Sequence, residues 1–116
     1  MKSCLLILCL IVPTACSMRG RPQPGATGSE IYAVAGCISC HGTERLGGSS
    51  GPPLTDLSAS WAAPNLAAYF ENPKEWIAKD ARLQTLDKNY SSSMPSFEYL
   101  NLQERQRLAQ WLLTQK

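Results

Sequence analysis

The stretch AVAGCISCHGT, residues 33–43, gathers two thiols and an imidazole into five consecutive positions. Cys37 and Cys40 stand three apart, and His41, the one histidine of the chain, follows directly. On a helical turn, residues three apart share a face, so both thiols can meet a single object. A zinc site would want about four ligands, and this cluster offers three. A thioredoxin-like redox pair belongs beside a βαβ unit, and no segment here alternates like a half-buried strand for more than a few residues. A plain disulfide would use the cysteines and leave the adjacent histidine without a reason.

One reading uses all three side chains. C-x-x-C-H is the attachment signature of c-type haem. Two thiols on one helical face reach the two vinyl groups along one edge of the ring and bond to them. His41 then projects toward the ring centre and ligates iron. The expected cofactor is one covalently bound haem c, with Cys37 and Cys40 as its thioether attachments.

Size and charge agree with this. A chain of 116 residues, 44% hydrophobic, is one small domain. A domain this short buries a modest share of its surface, so an apolar group at its centre would help it fold. The net charge of +2 is too mild to argue for nucleic acid, and no basic run is interleaved with aromatics.

The chain opens MKSCLLILCLIVPTAC. Lys2 and the apolar run from Cys4 to Val12 read as a secretory signal over residues 1–15. The run is shorter than the roughly 20 residues that span a bilayer. Its end, VPTAC, resembles a bacterial lipoprotein box with Cys16 as the lipidated residue. Pro13 departs from the leucine usual there, and ordinary cleavage nearby is the alternative. By the same resemblance, Ser17 rather than aspartate would not hold the protein at the inner membrane of a two-membrane cell. Residues 16–28, rich in proline and glycine, read as a flexible tether, spanning roughly 20 Å on average. The five cysteines then sort themselves. Cys4 and Cys9 leave with the signal, Cys16 carries lipid, and Cys37 and Cys40 remain for the domain, residues 29–116.

That domain reads as all-α with long ordered loops. Ser29 caps a first helix with Ile31 and Val34 on its inner face. Asn65 caps a second that presents Leu66, Tyr69 and Phe70 and stops at Pro73. Asn72, Pro73 and Glu75 restart a short helix. Asn101 and Glu104 open the clearest one, with Leu108, Trp111 and Leu112 at helical spacing. Beyond the short helix opened by Asn72, the interval between ENP (residues 71–73) and MPSF (residues 94–97) reads as polar and loop-like. So much non-helical chain needs a large apolar object to wrap.

From Gly28 to the C-terminus the chain resembles the class I cytochromes c. Gly28 and Tyr32 precede the haem motif, GPPL (residues 51–54) follows it, and LAAYFENP (residues 66–73) resembles the middle helix. MPSF (residues 94–97) matches the distal ligand region, and LNLQERQRLAQWLLTQ (residues 100–115) resembles the C-terminal helix that crosses the N-terminal one. Tyr32 lies one residue further from Cys37 than in mitochondrial-type chains, because Gly36 is inserted. The resemblance implies that the Pro52 carbonyl accepts a hydrogen bond from His41, that Leu54 packs on the haem, and that Met94 is the second axial ligand. Met1 falls in the signal and Met18 in the tether, and Pro95 stiffens the chain beside Met94. The tyrosine that many members place on the helix before the methionine has no clear match, and the role of Tyr90 is open. Trp61 and Trp76 are candidate donors to a haem propionate, and Trp111 is expected to pack on Tyr32 or Ile31.

Methionine–histidine ligation raises the potential and leaves no open iron site. The implied function is single-electron transfer between respiratory redox partners, without enzymatic activity, nucleic acid or small-molecule substrate. Ile38 and Ser39 beside the thioethers are candidate partner contacts. The expected location is the cell envelope, with the domain in the periplasm or outside, held to a membrane by lipid. A fixed subunit of a membrane oxidoreductase complex is the alternative, favoured by an extensive apolar patch away from the haem edge. A haem enzyme or gas sensor is a third, favoured by avid binding of carbon monoxide.

Overall fold

A computed structural model describes residues 19–116. The signal reading and the proposed lipid site at Cys16 lie outside the described residues. Among the described residues six α-helices follow in order: α1 Gly28–Val34, α2 Ile38–His41, α3 Ala63–Glu71, α4 Pro73–Lys79, α5 Ala81–Asn89 and α6 Leu102–Leu113. A 3-10 turn lies at Leu57–Ala59. The all-α reading therefore holds.

Helix α6 is the organising element, packing against both α1 and α3. Its start is the one expected. Asn101 accepts from the Glu104 N–H at 2.9 Å, and Glu104 accepts from the Asn101 N–H at 2.8 Å. This capping box satisfies two of the donors that a helix start otherwise leaves without partners. Leu108 and Leu112 are buried at one-turn spacing, and each such leucine contributes roughly 1.5–3 kcal/mol. Trp111 meets Tyr32 with ring centroids 5.4 Å apart, the contact anticipated from the sequence.

Two helix starts differ from expectation. Helix α1 is capped by Thr27, whose Oγ1 accepts from the Glu30 N–H at 3.2 Å, and Glu30 closes the box at 2.7 Å. Thr27 and Glu30 stand at capping-box spacing, which outcompetes Ser29. The inner face of α1 is Gly28, Ile31, Tyr32 and Ala35, the helical i, i+3, i+4, i+7 set. Val34 falls off that stripe and is 38% exposed. Helix α3 begins at Ala63, with Pro64 in its first turn, where proline's fixed φ and missing N–H are tolerated. Asn65 is therefore inside the helix.

The interval read as polar loop is largely helix α5. Asp80 caps it, accepting from the Arg82 and Leu83 N–H groups at 2.8 and 3.1 Å. Only Leu83 and Leu86 give it an apolar edge, too little for the periodicity to announce a helix.

The described part of the stretch read as a flexible tether is docked. The Gly20 N–H donates to the Val34 carbonyl at 2.7 Å, and the Tyr99 hydroxyl donates to the Gly20 carbonyl at 3.2 Å. Pro22 and Ala26 are buried. Proline lowers the entropy lost when such a segment is fixed, so a chain without helix or strand can still be held.

Gly28 sits where α1 packs directly on the backbone of α6. A Cβ added there would lie 2.3 Å from the Trp111 Cβ and 2.5 Å from the Arg107 carbonyl oxygen. Both neighbours are stiff, so the helices must separate. Gly28→Ala is expected to cost about 1–3 kcal/mol, as overpacking does. For a domain of this size the thermal midpoint then falls by at least about 4 °C. An unchanged midpoint would show that the crossing has slack.

Candidate haem site

Helix α2 is one turn long, and it carries the motif. The Cys40 and His41 N–H groups both donate to the Cys37 carbonyl, at 3.3 and 3.0 Å. That turn sets both thiols and the imidazole against one cavity. The cavity holds about 380 Å³ and is bordered by Cys37, Cys40, His41, Pro52, Leu54, Trp61, Tyr69, Phe70, Leu83, Leu86 and Met94, among others. Its volume falls in the roughly 300–1,000 Å³ range of small-molecule and cofactor sites.

The loop after α2 folds back beneath the histidine. The Gly47 N–H donates to the His41 carbonyl at 2.8 Å, and the Leu54 N–H donates to the Arg45 carbonyl at 2.8 Å. Gly47 has φ of 72°, a conformation that favours glycine, and an added Cβ would lie 2.6 Å from the Pro53 nitrogen. This turn delivers the Pro52 carbonyl oxygen to within 2.7 Å of His41 Nδ1. A carbonyl can only accept, so Nδ1 carries the proton and Nε2 keeps its lone pair. Burial lowers the His41 pKa below its usual value, and the Pro52 hydrogen bond opposes that. Tyr32 ties the same loop down, its hydroxyl donating to the Gly42 carbonyl at 2.6 Å.

Met94 reaches the cavity on a second loop, pinned at both ends. On one side Ser91 donates twice to the Ser49 carbonyl, from its N–H at 3.0 Å and its hydroxyl at 3.2 Å. On the other, the Ser96 hydroxyl donates to the Glu71 carbonyl at 2.7 Å and the Phe97 N–H to the Phe70 carbonyl at 2.7 Å. The methionine loop is thus tied to the histidine loop and to the end of α3. Sequence reasoning had no signal for the Ser49 contact, because it joins positions 42 apart.

Trp61 borders the cavity and Trp76 does not. Trp76 packs against Trp61 in a tilted arrangement, centroids 5.7 Å apart and planes at 52°, and lines a shallow groove with Glu71, Glu75 and Glu98. Tyr90 borders the cavity, and so does Tyr69, which the sequence offered only as a helix-face residue. Burial pushes the Tyr69 hydroxyl up to about 12, so it stays protonated at neutral pH. Arg82, 5.2 Å above the Trp61 ring, and Asp87 also stand at the cavity wall, on the helix that the sequence concealed.

The donor set fits a haem attached through two thioethers. Cys37 and Cys40 are both free thiols on one cavity, with an oriented imidazole and a thioether beside the same space. Burial pushes the Cys37 thiol up to about 12, the opposite of what a reactive redox pair requires. Among the described residues, no cluster of three or more His, Cys, Asp or Glu side chains is arranged to hold a metal ion.

No curated protein and no solved structure gives a significant match to this chain. A family model described as cytochrome c matches residues 25–116. That span holds every described helix and the whole cavity wall. The chain belongs to the cytochrome c family, with an all-α class I fold and a C-x-x-C-H haem-attachment motif at Cys37, Cys40 and His41.

Proposed function

We propose that the protein is a monohaem carrier that passes single electrons between respiratory redox partners at a membrane surface. The observation that carries this reading is the convergence of Cys37, Cys40, His41 and Met94 on one apolar cavity. Cys37 and Cys40 would hold a haem through thioethers, and His41 Nε2 and the Met94 sulfur would ligate its iron. Pro52 holds the imidazole in one tautomer, as carbonyl partners of metal-bound histidines commonly do. Leu54, Phe70 and Leu83, which line the cavity, would keep water from the ring. When bound, the haem supplies a one-electron iron couple. With His41 and Met94 both ligating the iron, oxygen or substrate would find no open site, which favours a carrier over an enzyme or gas sensor.

Ile38 and Ser39 lie between the two thioether positions, and Leu46 in the following loop is 71% exposed. These residues offer a contact surface for a redox partner beside the attached edge. Family membership supports an extracytoplasmic location. Among the described residues no helix is long and apolar enough to cross a membrane, and lipid on Cys16 is the proposed anchor.

Optical spectra of the purified holoprotein, oxidised and reduced, test the haem reading. The expected result is low-spin iron with a sulfur ligand and no uptake of carbon monoxide at neutral pH. Avid binding of carbon monoxide would favour the sensor or enzyme instead. For the anchor, Cys16→Ser is expected to move the protein from the membrane to the soluble fraction. Retention in salt-washed membranes would count against lipid attachment.

A further inference from the structure

We infer that the docked segment at residues 19–26 is a staple between the attachment motif and the Met94 segment, and that Gly20 and Tyr99 thereby set how readily the Met94 sulfur leaves the iron. Met94 as an axial ligand is the reading on which this rests. Gly20 makes one bond to each of the two segments. Its N–H donates to the Val34 carbonyl at 2.7 Å, at the end of α1 and three residues before Cys37. Its carbonyl accepts from the Tyr99 hydroxyl at 3.2 Å, five residues after Met94. Both contacts lead to the donor set through short hydrogen-bonded turns. Around Val34, the Gly36 N–H donates to the Ala33 carbonyl at 3.3 Å and the Cys37 N–H to the Tyr32 carbonyl at 3.2 Å. Around Tyr99, the Leu100 N–H donates to the Phe97 carbonyl at 3.1 Å, and the Glu98 N–H to the Ser96 hydroxyl at 3.2 Å. Pro95, with its fixed φ, joins that second turn to Met94.

The strap is seated along its length. Pro22 and Ala26 are buried, the Ala26 N–H donates to the Gln23 carbonyl at 3.0 Å, and the Arg19 guanidinium lies 5.5 Å over the ring of buried Phe97. Gly20 leaves no room for a side chain. An added Cβ would lie 2.9 Å from the Val34 Cγ2 and 3.1 Å from the Val34 carbonyl oxygen. Burial raises the Tyr99 pKa above its usual value, so the hydroxyl keeps its proton at neutral pH and goes on donating. The bonds of Ser96 to Glu71 and of Phe97 to Phe70 tie the same turn to the end of α3, and the staple ties it to the end of α1. Releasing the staple leaves the α3 ties in place. The fold then persists, while local opening of the Met94 segment, a motion of lower free energy than global unfolding, becomes more frequent.

Imidazole binding to the oxidised holoprotein, followed by its optical spectrum, is the test. Imidazole can take the axial position only while the Met94 sulfur is away, so its apparent affinity rises with the population of the opened state. Tyr99→Phe keeps the ring and deletes one hydrogen bond, and is expected to raise imidazole affinity about five-fold, the net scale of one such bond. Gly20→Pro removes the donor to Val34 and is expected to raise it further. The double variant is expected to match Gly20→Pro alone, because both changes act through one strap. Gly28→Ala, which acts at the α1–α6 crossing, is the reference: a lower thermal midpoint with imidazole affinity unchanged. If Gly20→Pro yields no holoprotein, Tyr99→Phe decides. Unmoved affinity in Tyr99→Phe overturns the inference and leaves Met94 standing as the ligand. A rise in Gly28→Ala equal to that in Tyr99→Phe also overturns it, because the strap would then act through global stability. Equal imidazole binding by wild-type and Met94→Ala holoproteins overturns the Met94 ligand and the staple together.

Discussion

Replacing Met94 by alanine is expected to turn a closed, low-spin iron into a high-spin one that binds carbon monoxide, while the fold persists. The loop carrying Met94 is held independently of the sulfur, by Ser91 on Ser49 and by Ser96 and Phe97 on the end of α3. Removing the thioether therefore empties one axial position without releasing the loop. Axial ligands tune haem potentials over about 0.8 V, so loss of the sulfur is expected to lower this potential by on the order of 0.1 V. Spectra and a redox titration of the variant report both effects. Unchanged spectra would refute the assignment of Met94 and send the search to another side chain on the cavity wall.

The second large effect is expected from removing both thiols, Cys37→Ser with Cys40→Ser. Without covalent attachment, the cavity of about 380 Å³ depends on weak association for its filling. Left dry, a void of that size would cost on the order of 9 kcal/mol, at roughly 24 cal/mol per Å³. The whole stability of a domain is about 5–15 kcal/mol. The double variant is therefore expected to yield little folded protein. Circular dichroism and binding of a hydrophobic dye would show this, and Cys40→Ser alone, keeping one thioether, should be intermediate. A double variant that unfolds at the wild-type midpoint would mean that the helices need no central filler.

The parts of this protein that were legible in the sequence are those where one local segment carries the whole signal. The motif at Cys37, Cys40 and His41 is contiguous, so its chemistry could be read without a fold. The Asn101–Glu104 capping box and the stripe of Leu108 and Leu112 were legible for the same reason. Helix α5 was not, because Leu83 and Leu86 are its only strong apolar residues and its helicity depends on the Asp80 cap and on packing. The choice of Thr27 over Ser29 was written in the T-x-x-E spacing and could have been found.

By itself, then, the sequence determined the cofactor class, the two attachment points and the all-α class of the fold, because spacing along one short stretch fixes which side chains share a helical face. Tertiary structure alone decided how Met94 is held, that Tyr69, Tyr90 and Leu86 wall the cavity, that Trp76 does not, and that residues 20–26 are docked on the domain. Each of those depends on contacts between positions tens of residues apart, such as Tyr99 with Gly20 and Ser91 with Ser49. Loop closure sets the entropic cost of such contacts, and whether they form is decided by the packing of the assembled helices.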